Sequence, residues 1–134
     1  RIRNMPWRKD LDKEISTSVS VTQGALKTTT TTGTGVDTSG CNSVAVLLLP
    51  GAITDGTHTP SIEESDASGS GYSTVAAADL SGTPAALTAN TIQEIGYKGR
   101  KRYVRVVVTV SGSPATGGYY GAYVVRGGAR SLPQ

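Results

Sequence analysis

The segment KRYVRVVVTVS, Lys101 to Ser111, is the strongest constraint on what this chain can fold into. Val104, Val106, Val108 and Val110 occupy every second position, with Tyr103, Arg105, Val107 and Thr109 between them. A β-strand sends successive side chains to opposite faces, so this alternation lays one apolar face against a core. β-Branched residues in that register also disfavour helix, where they lose χ1 freedom against the preceding turn.

The same texture recurs along the chain. Ile15, Thr17, Val19 and Val21 alternate with Ser16, Ser18, Ser20 and Thr22, and Thr28 to Thr32 is a β-branched run that favours extended backbone. SVAVLLL, Ser43 to Leu49, is a continuous apolar run and predicts a central strand buried on both faces. Further strands are predicted over Thr57 to Glu64, Tyr72 to Val75, Thr91 to Tyr97 and Tyr119 to Arg126, with Pro60 marking an edge or a bulge. Pro50-Gly51 and Asp55-Gly56 read as turns, and Ala76 to Leu80 as a single helical turn. Gly117-Gly118 predicts a turn that brings the last strand back against its predecessor. Seven or eight short strands with almost no helix predict an all-β fold, an antiparallel β-sandwich or barrel. Residues 1–14 read as an N-terminal arm, 15–126 as the β domain and 127–134 as a C-terminal tail.

Such a domain must work with a lean core. The 134 residues make one domain, yet they include no Phe, one Trp and one Met. Val, Ile, Leu, Ala and Tyr have to fill the interior, and a thin core is easier to sustain when subunits cover part of it, so a homo-oligomer is expected. Cys41 is the only cysteine, which excludes an intrachain disulfide and suits a half-buried small residue. No apolar run approaches the roughly 20 residues that span a bilayer, and the N-terminus carries no signal-peptide core, so a soluble chain made in a cytoplasm is expected. The first residue is Arg1, which leaves the true N-terminus open.

Charge is segregated. Residues 1–27 carry +3, residues 28–97 carry −7 without a single Lys or Arg, and residues 98–134 carry +7 without an acid. Either acidic and basic strands are neighbours whose charges interleave on a solvated face, or the basic ends dock on an acidic partner. The second reading selects Lys98, Arg100, Lys101, Arg102 and Arg105 as partner-binding residues, joined by Trp7 and Arg8 in the arm, where a lone Trp suits an anchor. Tyr97 and Tyr103 lie among these cations, a pattern that can hold single strands, but the acidic remainder of the chain makes nucleic acid an unexpected partner.

No catalytic set emerges from the residue types. His58, the only histidine, falls in DGTHTP, where a solvated loop residue is expected. One His and one Cys are too few for zinc. Glu63 and Glu64 are consecutive on a strand and face opposite sides. Glu64 and Asp66 could share a side and, with Asp55, offer oxygens to a hard cation, but the spacing does not match an EF-hand. Neither an enzyme, a metal nor a cofactor is expected. RGG at Arg126 to Gly128 occurs once and carries little.

Four segments, in order, resemble small virion proteins encoded beside the major capsid protein in tailed bacteriophages. They are GVDTSG (Gly35 to Gly40), GAITDGTHTPSIEESD (Gly51 to Asp66), V-x-x-x-DL-x-G (Val75 to Gly82) and YKGRKRYVRVVVTVSG (Tyr97 to Gly112). Together they span somewhat more than half the chain. The resemblance implies a structural component of a phage particle, a decoration or cement protein on the head surface. Its partners would be the major capsid protein and other copies of itself, in a small symmetric oligomer such as a trimer. A head–tail junction or tail role stays open. So does a glycan- or cell-surface-binding sandwich that uses Tyr72, Tyr119, Tyr120 and Tyr123 as stacking platforms.

Overall fold

The computed structural model describes residues 15–129, which form two packed antiparallel sheets. Six strands are long: β1 (Ile15–Val21), β4 (Cys41–Ile53), β5 (Thr57–Ser65), β8 (Gln93–Tyr97), β9 (Tyr103–Ser111) and β10 (Gly118–Ala129). Four are two-residue pieces: β2 (Thr31–Thr32), β3 (Val36–Asp37), β6 (Ser73–Thr74) and β7 (Leu80–Ser81). The only helical turn among the described residues is 3-10, Ala77–Asp79, within the stretch predicted to turn. One sheet runs β1-β10-β4-β8-β7; the other runs β2-β9-β5-β6, with β3 also on β9. The architecture is a sandwich, and the strand count exceeds the predicted seven or eight through the two-residue pieces. No helix among the described residues is long and apolar enough to cross a membrane.

The core is what the valine alternation predicts. Val104, Val106 and Val108 of β9 are fully buried and face Val46 and Leu48 of β4 and Ala122 and Val124 of β10, with Ile62 and Ile95 beside them. Each such side chain contributes about 1.5–3 kcal/mol by leaving water. In the absence of Phe, Tyr120 is the largest fully buried side chain among the described residues.

Where sequence and structure part, local geometry gives the reason. Pro50-Gly51 is not a turn; it lies inside β4, past the last residue paired with β8 and beside the register shift between Gly118 and Tyr120 of β10. The ladder is already irregular there, so a missing N–H is tolerated. Nor does β10 return to β9. β9 already has β5 on one side and β2 and β3 on the other, so the chain crosses over and β10 inserts between β1 and β4. β10 runs through Gly127 and Gly128 to Ala129, three residues beyond the expected end of the domain. Arg126 belongs to it and points between the sheets, donating to Ser16 Oγ, Ser18 Oγ and the Asp37 carbonyl. The RGG motif is therefore strand, with its guanidinium turned inward.

His58 is the largest departure. It is 1 % exposed, on β5, with Nδ1 3.0 Å from Tyr120 Oη and Nε2 3.0 Å from the Asp55 carbonyl oxygen. A carbonyl can only accept, so Nε2 carries the proton, and a neutral ring then accepts the Tyr120 hydroxyl proton at Nδ1. The expected solvated loop histidine is a core residue with both nitrogens engaged.

Candidate functional site

The cations Lys98 to Arg102 occupy one loop, between β8 and β9, and the structure holds that loop tightly. Tyr97 ends β8 with its ring buried; its hydroxyl donates to Glu64 Oε1 at 2.6 Å and accepts from the Lys101 backbone N–H at 3.1 Å. Burial, reinforced by the Glu64 carboxylate, pushes the Tyr97 phenol well above its ordinary range. The loop folds over this ring so closely that a Cβ on residue 99 would lie 2.5 Å from the Tyr97 hydroxyl, which is why Gly99 stands there. Lys98 N–H donates to the Asp79 carbonyl, and the Arg102 carbonyl accepts from both the N–H and the hydroxyl of buried Thr38.

Thr38 belongs to the turn between β3 and β4, and that turn is the opposite wall of an open depression of about 490 Å³. Val44 and Tyr97 also line it, and Lys98 to Arg102 form the basic wall. Cys41, a free thiol and half-buried as expected, sits beside the turn.

The charges divide into two groups. Lys101 pairs with Asp66 at 2.9 Å. Arg102 grips Asp37 with two hydrogen bonds, Nε to Oδ1 at 3.0 Å and a terminal nitrogen to Oδ2 at 2.8 Å. Arg105 pairs with Glu63, its direct cross-strand partner, at 2.7 Å, and its guanidinium lies 3.9 Å above the Tyr72 ring. Lys98 and Arg100 are exposed and have no carboxylate within ion-pair distance among the described residues. Interleaving thus accounts for Lys101, Arg102 and Arg105, and the docking reading keeps Lys98 and Arg100. Arg105 sits apart from the depression, on the outer face of β9. Trp7 and Arg8 lie outside the described residues.

Other candidates disperse. Glu64 is committed to Tyr97, Asp66 to Lys101, and Asp55 accepts backbone N–H groups from Ala115, Thr116 and Gly117, pinning the β9–β10 connection to the β4–β5 turn. Tyr120 is buried and Tyr72 lies beneath Arg105, so the stacking platform loses two of its four tyrosines. The wall Thr38 to Asn42 overlaps the end of GVDTSG, but no residue in it reads as a site residue in sequence; Gly40, with φ of +79°, marks the turn.

The Arg102 guanidinium holds the Asp37 carboxyl far below the usual carboxylate range, and the Gly117 N–H, with those of Ala115 and Thr116, lowers that of Asp55. Both groups keep their charge to lower pH folded than unfolded. Their contribution to stability is therefore complete above about pH 4 and fades as pH falls through the lowered values. Melting temperature is expected to drop progressively below about pH 4, and Asp55→Asn to flatten part of that slope. A melting temperature equally steep in pH with and without the Asp55 carboxylate would contradict this assignment.

No protein-family model, curated protein or solved structure matches the chain.

Proposed function

We propose that this protein is a structural component of a tailed-bacteriophage particle, a decoration or cement protein that binds the lattice of the major capsid protein on the head surface. The resemblance in sequence motivates the family. The observation that carries the chemistry is the tightly held basic loop, in which Lys98 and Arg100 have no carboxylate partner among the described residues while Lys101 and Arg102 are neutralised by Asp66 and Asp37. A preorganised pair of cations beside a depression fits an acidic surface and loses little conformational entropy on docking. The protein acts by binding and not by turnover: attachment favours assembled capsomers over free ones, which shifts the equilibrium toward the intact shell. Many copies multiply a modest affinity per site.

Purified heads lacking this protein provide the test. The unmodified chain is expected to bind them, and binding should weaken as salt rises through the range where the Debye length falls from about 10 to 3 Å. Lys98→Ala with Arg100→Ala should lower the affinity by about tenfold and reduce its salt dependence, with melting temperature unchanged. Failure of the unmodified chain to bind heads built from the capsid protein encoded beside it would remove the proposal.

A further inference from the structure

The two outer faces of this sandwich differ in a way that packing among the described residues does not explain. On the β9–β5 sheet the outward positions are mostly polar or paired: Arg105 and Glu63 are bridged, Thr59, Ser61 and Thr109 lie beside them, and Val107 is the one aliphatic residue in this set. On the other sheet, register places Val19 of β1, Tyr123 of β10 and Leu47 of β4 in one outward row. Val125 and Ala45 form the next row, and Leu49 lies beside Gly121 on the other side of it. Gly51 and Tyr119 prolong the face, since a Cβ on Gly51 would meet Tyr119 Cβ at 3.7 Å. Val19 is 45 % exposed and Tyr119 41 %, while Leu47, Leu49, Tyr123 and Val125 are half-buried. Glu94, at the β8 margin, is the one charge in these rows.

An antiparallel sheet with one wet face normally alternates apolar and polar residues. β4 does not: Ala45, Leu47 and Leu49 face out where polar residues would serve a solvated surface. We propose that this face is an interface on which two copies of the chain pack sheet against sheet. A face whose one charge, Glu94, sits at its margin needs a largely apolar counterpart. The first fourteen residues are a poor one, because eight of them are charged. A second copy presents a matching face by symmetry, as a two-fold axis requires. The area suffices: nine residues of β4 span ~30 Å and four strands ~17 Å, so two facing copies bury on the order of 1,000 Å², the size at which specific interfaces begin. An interface at that threshold gives a dimer of roughly micromolar affinity. The inference does not depend on the virion reading, because it concerns the free protein.

Sedimentation velocity on the full chain, from about 1 to 500 μM, reads it directly. The expected result is a monomer–dimer equilibrium that high salt does not weaken, since apolar burial drives it. Val19→Lys, at an exposed position, and Leu47→Asp should each weaken association on the order of a hundredfold by desolvating an unpaired charge, with the β-type circular dichroism and melting temperature of Val19→Lys unchanged. A chain that stays monomeric throughout, a stoichiometry other than two, loss of the dimer in high salt, or a dimer untouched by Val19→Lys would each overturn the proposal. Head binding by a chain that remains monomeric would remove this inference and leave the functional proposal standing.

Discussion

Gly33→Ala should lower stability by about 3–4 kcal/mol, on the order of 10 °C in melting temperature for a domain of this size. Gly33 lies where the two sheets are sewn together. β1 bulges at Ser20, whose buried hydroxyl accepts the Val106 N–H at 3.0 Å and donates to the Thr34 carbonyl at 2.9 Å. Gly33 N–H donates to the Val106 carbonyl at 2.8 Å, and Thr34 N–H to that of Ser20 at 2.7 Å. A Cβ on residue 33 would stand 2.4 Å from Ser20 Oγ, 2.6 Å from the Val106 carbonyl oxygen and 2.8 Å from that of Ser20. Two of these neighbours are strand backbone and cannot swing aside, so the hydrogen bonds must lengthen together. Gly24→Ala is the control, because its added carbon meets only a Thr22 methyl at 3.8 Å and should be neutral. Thermal melts of the two variants decide the matter, and equal melting temperatures would show that the sheets tolerate separation at this seam.

That seam also shows what a sequence can and cannot disclose. The valines of β9 announce their strand because burial on one face has period two, and every pairing of β9 respects that phase. The exit at Gly33 does not, since its requirement is absence of a side chain beside two carbonyls from distant strands. The same contrast holds at the basic loop. Lys98, Arg100, Lys101 and Arg102 do converge on one depression, as their proximity in sequence required. The ion pairs that neutralise Lys101 and Arg102 join residues 35 and 65 positions apart, and only the sheet register reveals them. The destination of β10 was hidden for a related reason. A glycine pair fixes a turn locally, whereas the vacancy between β1 and β4 is a property of the whole sheet. SVAVLLL carried more than fold information. An apolar run on a strand of an antiparallel sheet predicts cover on both faces, and the chain supplies cover to one of them among the described residues.

His58→Ala should cost about 2–4 kcal/mol, and Tyr120→Phe about 1–3 kcal/mol, although neither lies near the basic loop in sequence. Both residues are 1 % exposed, and their rings meet edge to face with centroids 5.2 Å apart. Tyr120→Phe removes one oxygen and leaves His58 Nδ1 buried without a donor. His58→Ala removes the ring, opens a cavity and strands the Asp55 carbonyl and the Tyr120 hydroxyl at once. Because both substitutions break one hydrogen bond, their effects should not add, and a double-mutant cycle is expected to return a coupling of about 1 kcal/mol. The phase of β5 anticipates the arrangement: His58, Pro60 and Ile62 alternate with Thr57, Thr59 and Ser61, and the first set faces inward. A His58→Ala chain with unchanged melting temperature would return the imidazole to solvent and restore it as a candidate for chemistry. A melting temperature lowered by about 6–12 °C would fix its role as the polar keystone between the β4–β5 turn and β10.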